Sequence, residues 1–526
     1  MSATRSSQFI ADEMCAPSGT ISKSTRRFHL AILLLVLSVA AFLRFYKLTD
    51  IPPGLYRDEA MDGANALEAL ETHHFQVFYP EDNGREGLYI NVAAAFISVL
   101  GNKAWVLRLP AAIFGLLTVL GVYCLAAELF SVPVGLVAAF FIATSTWHVN
   151  FSRLAFRAIA SPLFLAWALF CLLLAFRHHR MRKPYLALMV LAGVIYALGF
   201  YTYIAYRVTP VLIGMVLWHY VTVAREQGWR EDFWKGSVVF ALTAILVTSP
   251  LVVYFAGNPR AFVGRSAQVS VLRAHHPFRD TAINTWKTAR MLYTAGDGNW
   301  RHNYSGRAEV FWPVAIFMTL GLVLAVVRCG FRWRTQDRIT YGLVLACLVI
   351  GALPAILSNE SIPHSLRAIM MVPPIVMLSA IGARALYWES ARMVHRRVLQ
   401  MVTIAVFLAL TYEGWHTYFV LWARNPLVAS SLDIGYVDLA DEINAYPRNL
   451  PKAVAVRDPQ FSLLPPYAPI VMYLTKTYTQ REQNDASIRY YTRDTFDHPV
   501  PKQLEGLDFC EQAAAVLKQT RVFCLR

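Results

Sequence analysis

Residues 88–101 read LYINVAAAFISVLG, an apolar stretch only 14 residues long. A helical membrane span needs about 20 residues, so whether this stretch crosses fixes the side of the membrane for everything after it. If it does not cross, the spans fall at 28–47, 109–130, 132–148, 159–176, 184–201, 208–224, 236–256, 309–327, 339–357, 367–386 and 399–420. The clusters Arg177/Arg180/Arg182/Lys183, Arg225/Arg230, Arg328/Arg332/Arg334/Arg338 and Arg392/Arg396/Arg397 then share the side of the N-terminus. If it crosses, every one of those clusters faces outward, against the positive-inside rule. The stretch is therefore read as an interfacial or re-entrant helix, and the chain as crossing 11 times. The loop 257–308 carries cations too, but long loops weigh little in that rule.

Composition agrees with a membrane protein. Hydrophobic residues make up 56% of the 526, against about 45–50% in soluble domains. The formal charge of +15 lies mostly in short loops between apolar runs, which suits topology signals better than a nucleic-acid surface. The fold class expected is an all-α polytopic membrane protein with a small C-terminal α/β extracytoplasmic domain. Residues 1–27 read as a disordered cytoplasmic tail, 28–424 as the membrane domain and 425–526 as the soluble domain. That domain shows a helical pattern at 432–446 and strand-like runs at 453–456 and 521–525. The first span follows Lys23, Arg26 and Arg27 without a convincing small-residue cleavage site after it, the pattern of a retained signal anchor. Seven cysteines give no metal-ligand spacing. Cys510 and Cys524 can pair if the tail lies in an oxidising compartment.

Acids concentrate in the first outer loop, 48–87. Asp58-Glu59 stands about ten residues past the first apolar run and opens a helical pattern with Ala60, Met61, Ala64, Leu67 and Leu70 on one side. This predicts a short amphipathic helix on the membrane. Asp58 is either a general base for an acceptor hydroxyl or the helix cap; Asp62, four residues on, shares its face. Arg85, at the start of the short apolar helix, is either a lipid-phosphate ligand or a snorkelling anchor. Arg153 and Arg157 lie four apart, read as one helical face on the outer side, where topology gives no reason for cations. Such a pair suits a phosphate or lipid headgroups. In the long loop, Asp297, Asn299, Trp300 and His302 combine aromatic and polar groups that suit a sugar, or form a structured turn. A last outer cluster, 359–367, carries His364 and Arg367; Arg367, at the mouth of a span, is the stronger candidate there.

Together these features resemble the GT-C superfamily of glycosyltransferases that use polyprenyl-phosphate sugars. The chain looks most like the bacterial relatives of protein O-mannosyltransferases and aminoarabinose transferases. The resemblance rests on ordered elements across roughly 28–386. They are Asp58-Glu59 after the first span, Arg85-Glu86-Gly87-Leu88-Tyr89 where the family often has His-Pro-Pro-Leu-Tyr, and Arg108-Leu109-Pro110. Ser152/Arg153/Arg157 and residues 359–367 complete the series. The Arg85-Glu86-Gly87 portion departs from the family pattern. The resemblance implies inverting transfer of a sugar from a polyprenyl-phosphate donor to a protein, lipid or glycan acceptor, on the outer face of a membrane such as the bacterial inner membrane. It implies Asp58 as base with Glu59 in support, and Arg85, Arg153, Arg157 and Arg367 at the donor phosphate. Tyr89, Asp297, Asn299, Trp300, His302 and His364 are expected near the sugar or acceptor. No Asp-x-Asp metal motif is evident, though a divalent metal is compatible with the residues. The alternative is a transporter or flippase of lipid-linked sugars, which calls for ionisable residues in mid-span and repeated broken helices; here the acids gather in the first outer loop instead.

Overall fold

The computed structural model describes residues 22–81, 83–331, 335–456, 468–492, 495–496, 498–500, 504, 508–518 and 520–525. Most of the expected N-terminal tail, and Arg332 and Arg334, lie outside the described residues. Among these residues, nine helices are long and apolar enough to cross a membrane: Lys23–Phe45, Ala104–Leu129, Arg157–Arg180, Ile204–Glu226, Arg230–Gly257, Trp312–Gly330, Ile339–Ile356, Ile369–Ser390 and Arg396–Trp422. Leu34, Leu35, Leu242, Ile245, Leu246, Ile404 and Leu408 point outward from them and are exposed. Such a surface is stable only against hydrocarbon.

Two expected spans are shorter than the sequence implies. The helices Val132–Thr144 and Leu186–Gly199 have 13 and 14 residues. The first ends where Ser145 starts a second short helix, Thr146–Phe151, its Oγ accepting from the His148 N–H at 3.4 Å. With these two, the apolar helices at the expected span positions number eleven. The stretch that decides topology is a 13-residue helix, Leu88–Leu100, ended by Gly101 at φ 83°.

The chain divides into two compact units. One comprises Met1–Tyr46, Ala111–Arg153 and Arg157–Trp422; the other comprises Lys47–Pro110, Leu154–Phe156 and Ala423–Arg526. In the first, the helices Trp312–Phe331 and Val372–Ser390 cross at glycines. A Cβ on Gly321 would overlap the Leu378 carbonyl, and one on Gly382 the Phe317 carbonyl. Small residues let backbones approach where lipid offers no hydrophobic drive to pack.

Two buried arginines in this unit close helix ends. Arg44 donates to the carbonyls of Ala143 at 3.1 Å and Ile142 at 3.2 Å, at the C-terminal end of Val132–Thr144. Arg153 donates to Leu43, Arg44 and Tyr46 carbonyls at 3.2, 2.8 and 2.8 Å, at the end of Lys23–Phe45. The last carbonyls of a helix have no partner within it, and water cannot supply one inside a bilayer. Each guanidinium does so and also suits the negative end of the helix dipole.

The second unit holds the first outer loop together with the C-terminal residues. Its loop helix, Arg57–Thr72, buries Glu59, Ala60, Asp62, Gly63, Ala64, Asn65, Ala66, Leu67 and Ala69, far more than a helix lying on a bilayer surface would. The helix Ala468–Thr475 packs on it. Tyr473 lies against Gly63, so closely that a Cβ there would sit 2.7 Å from the Tyr473 ring, and its hydroxyl donates to the Lys103 carbonyl at 3.2 Å. A three-stranded parallel sheet follows, in the order Ile488–Tyr491, Lys452–Val456, Arg521–Leu525. Val454, Val456, Ile488, Phe523 and Leu525 face one apolar cluster with Ile443 and Val471, while Ala453 and Ala455 face a second with Phe509. A disulfide joins Cys510 to Cys524.

Candidate functional site

In the second unit the neighbours Asp58 and Glu59 separate sharply. They occupy the first turn of Arg57–Thr72, whose N-cap is Tyr56; Asp58 is therefore not the helix cap, one of its two readings from the sequence. Glu59 is fully buried. Its carboxylate receives Arg108 in a fork, Nε at 2.9 Å and Nη2 at 3.0 Å. It also accepts from the N–H groups of Tyr56 at 3.2 Å and Ala155 at 2.9 Å. Arg108 completes its own bonding with the carbonyls of Pro52 and Gly54. Asp62 is likewise buried, in an ion pair with Arg85, which also donates to Asn65. Asp58 alone of the three keeps a half-exposed carboxylate, 43% accessible, with Arg57 Nε at 3.8 Å. The chain thus anchors the helix with two carboxylates and presents the third to solvent.

These partners redistribute the expected roles of the arginines. Arg85 is buried and engaged by Asp62 and Asn65. Arg153 is buried among helix-end carbonyls and lies over the rings of Tyr418 and Phe419 at 5.3 and 4.9 Å. Arg367 donates to Ser358, to the Glu360 carbonyl at 3.0 Å and to the Glu360 carboxylate at 2.8 Å. Arg157 is half-buried, 5.8 Å over the Tyr203 ring. Arg153 and Arg157 do not share a helical face: the helix stops at Phe151, and Arg157 opens a separate 3-10 turn, Arg157–Ile159. Tyr89 is buried, its hydroxyl donating to the Leu107 carbonyl at 2.7 Å.

In the first unit, residues 296–309 form a closed turn around Asp297. Asp297 Oδ1 accepts from the Asn299 N–H at 2.9 Å, and Asn299 Oδ1 from the Arg301 N–H at 3.0 Å. The Trp300 carbonyl accepts from Trp422 Nε1 at 2.7 Å. Asn299 and Trp300 therefore help to build the turn. Asp297 Oδ2 accepts from the Ser365 N–H at 2.9 Å and lies 2.8 Å from His302 Nδ1. The rings of His302 and His364 stand 4.8 Å apart. Sequence reasoning placed these residues in two separate loops; the structure brings Asp297, His302 and His364 together.

Glu309, which the sequence reading passed over, sits beside them. It accepts from the Asp297 N–H at 3.0 Å and from Ser365 Oγ at 2.6 Å. Burial pushes its carboxyl up to about 8, despite those two bonds. Burial also opposes ionisation of Asp297, but His302, His364 and the Ser365 N–H hold that carboxyl below its usual value. Burial, with His302 and Arg367 nearby, holds the His364 imidazole well below its usual value, hence neutral at pH 7. Glu309 and Glu413 border a small cavity, otherwise mostly apolar, with Phe141, Trp147, Phe311 and Leu410 in its wall. Glu413 pairs with Arg307 and Thr417. An acid three residues before a span is the signal that could have pointed to Glu309.

Residues 88–254 match the family described as dolichyl-phosphate-mannose-protein mannosyltransferase. A search of curated proteins found no match. Among solved structures, the fold is similar to ArnT from Cupriavidus metallidurans bound to undecaprenyl phosphate. That likeness has a TM-score of 0.51 and 13% identity, and covers 95% of this chain and 90% of that one. It is similar too to the apo oligosaccharyltransferase of Archaeoglobus fulgidus, with a TM-score of 0.52, 14% identity and coverage of 86% and 64%. The chain thus spans less than two thirds of that enzyme's length. The oligosaccharyltransferase AglB of the same organism, in complex with an inhibitory peptide and a dolichol-phosphate, gives 0.54, 13%, 90% and 70%. At these identities the likeness is one of fold, and it agrees with the GT-C architecture expected from the sequence.

Proposed function

We propose that the protein is a membrane glycosyltransferase that moves a sugar from a polyprenyl-phosphate donor to an acceptor hydroxyl. The observation that carries the reading is the end-to-end likeness to ArnT, a structure holding undecaprenyl phosphate. The mannosyltransferase family match over 88–254 supports it. In this reading Asp58 accepts the proton of the acceptor hydroxyl as its oxygen attacks the anomeric carbon. The bond to the phosphate oxygen breaks and polyprenyl phosphate departs, so a single displacement inverts the centre. The leaving phosphate is weakly basic and needs neutralising charge more than a proton. Of the four candidate arginines, Arg157 is proposed for that task, because Arg85, Arg153 and Arg367 are buried and Arg157 is half-buried. Glu59 positions the helix that carries Asp58.

The active face is proposed to be extracytoplasmic. Two points support this: the positive-inside rule puts the basic clusters of the short loops on the opposite side, and the Cys510–Cys524 disulfide suits an oxidising compartment. The test is turnover of purified protein with a panel of radiolabelled polyprenyl-phosphate sugars and cell-envelope acceptors, wild type beside Asp58→Asn. Labelled product from wild type, falling about 10²–10⁴-fold in the variant, is the result expected of a lost general base. Equal product from both removes Asp58 from the mechanism. Label that crosses a vesicle membrane without transfer points instead to transport.

A further inference from the structure

We propose that Asp297, His302 and His364 bind a divalent first-row transition metal, through two imidazoles and one carboxylate. One ligand atom from each residue lies within 4.8 Å of the others. Three protein ligands of this composition, with positions left open, are a set that iron, zinc and related ions accept. The turn around Asp297 fixes two of them. Its carboxylate receives the Asn299 and Ser365 N–H groups, and a carboxylate offers about four lone-pair sites, so an ion shared with His302 can take the place of the bond between them. His302 is held by Asp297 on one side and by the Phe151 ring, 5.6 Å away, on the other.

A second observation points to a ligand. His364 Nδ1 is shielded from solvent and has no hydrogen-bond partner among the described residues. Leaving a buried polar atom without a partner is costly, and a metal would supply one. Bonds to a zinc ion of about 2.1 Å require the widest ligand pair to close by about 1 Å, a change that rotation of the two imidazoles supplies. Arg301 and Arg367 lie near enough to oppose a cation. Arg367 is itself paired with Glu360. The site should therefore hold its metal less tightly than a closed four-ligand site, and should release it to chelators.

The test uses the full chain in detergent, carrying a tag without histidine, stripped by chelator and titrated with zinc chloride. Calorimetry and elemental analysis should show one equivalent bound. X-ray absorption at the zinc edge should show two imidazoles and oxygen. His302→Gln and His364→Gln should each lose at least ten-fold in affinity while remaining monodisperse and helical. His275→Ala/His276→Ala, outside the cluster, should bind as wild type does. Zinc should raise the wild-type melting temperature and leave those of the two Gln variants unchanged. Absence of binding by wild type, or undiminished binding by both Gln variants, overturns the proposal. Neither result bears on sugar transfer, so failure here leaves the glycosyltransferase reading to its own test.

Discussion

Replacing Glu59 with Ala strands the Arg108 guanidinium among the carbonyls of Pro52 and Gly54. Removing one partner of a buried ion pair costs about 3–5 kcal/mol, and unfolding of the purified variant in mixed micelles should show a loss of that size. Asp58→Asn, at a half-exposed carboxylate one residue earlier, should unfold within about 1 kcal/mol of wild type while losing transfer. The pair thus separates anchoring from chemistry at adjacent positions. That difference was not legible in the sequence, where Asp58 and Glu59 stand side by side. It depends on Arg108 and on Ala155, 49 and 96 residues away. Asp58 stands out in the sequence as a candidate because an acid just outside a first span is conspicuous. The cations could not be sorted, since an arginine that caps a helix and one that meets a phosphate look alike until their partners are known.

At the scale of elements, the contact of Ala468–Thr475 with Arg57–Thr72 turns on Tyr473 and Gly63. Tyr473→Ala removes a ring and a hydrogen bond, and should cost about 3–5 kcal/mol. Gly63→Leu overfills the same contact and should cost about 1–3 kcal/mol. Both are measurable as a lower midpoint of unfolding, and both should loosen the helix that carries Asp58. Periodicity foretold this helix, the Lys452–Val456 strand and the Arg521–Leu525 strand, because each shows a sustained apolar pattern. It missed Ile488–Tyr491, where only the two end residues are buried. It also ran the spans at 132–148 and 184–201 too long. Hydropathy averages over Ser145, which ends one helix and caps the next.

At the scale of the whole molecule, the proposed extracytoplasmic side rests on a 13-residue helix, Leu88–Leu100, shorter than a span needs. A phosphatase reporter fused at the C-terminus should be active on the outer side, and a cytoplasmic reporter there inactive. The Cys510–Cys524 bridge gives a second expectation. Under non-reducing, denaturing alkylation these two cysteines should stay unmodified while Cys124, Cys171, Cys329 and Cys347 react. Reduction should destabilise the tail by about 3 kcal/mol, the amount expected for closing a loop of this length. Hydropathy made the spans legible, because its signal is summed over many residues. The grouping of Asp297 with His364 was not, since it depends on how two distant loops meet.

Arg44 has a consequence for how the protein is made. The carbonyls and the imidazole that receive its guanidinium lie 98 to 104 residues further along the chain. At about 5–20 residues per second, the first span waits about 5–20 s for them after it leaves the ribosome. During that interval a charged side chain sits at the end of an inserted helix with only water, lipid headgroups or the insertion machinery to attend it. Biogenesis therefore has an order. The bonds that close around Arg44 cannot form before the segment around His148 has left the ribosome.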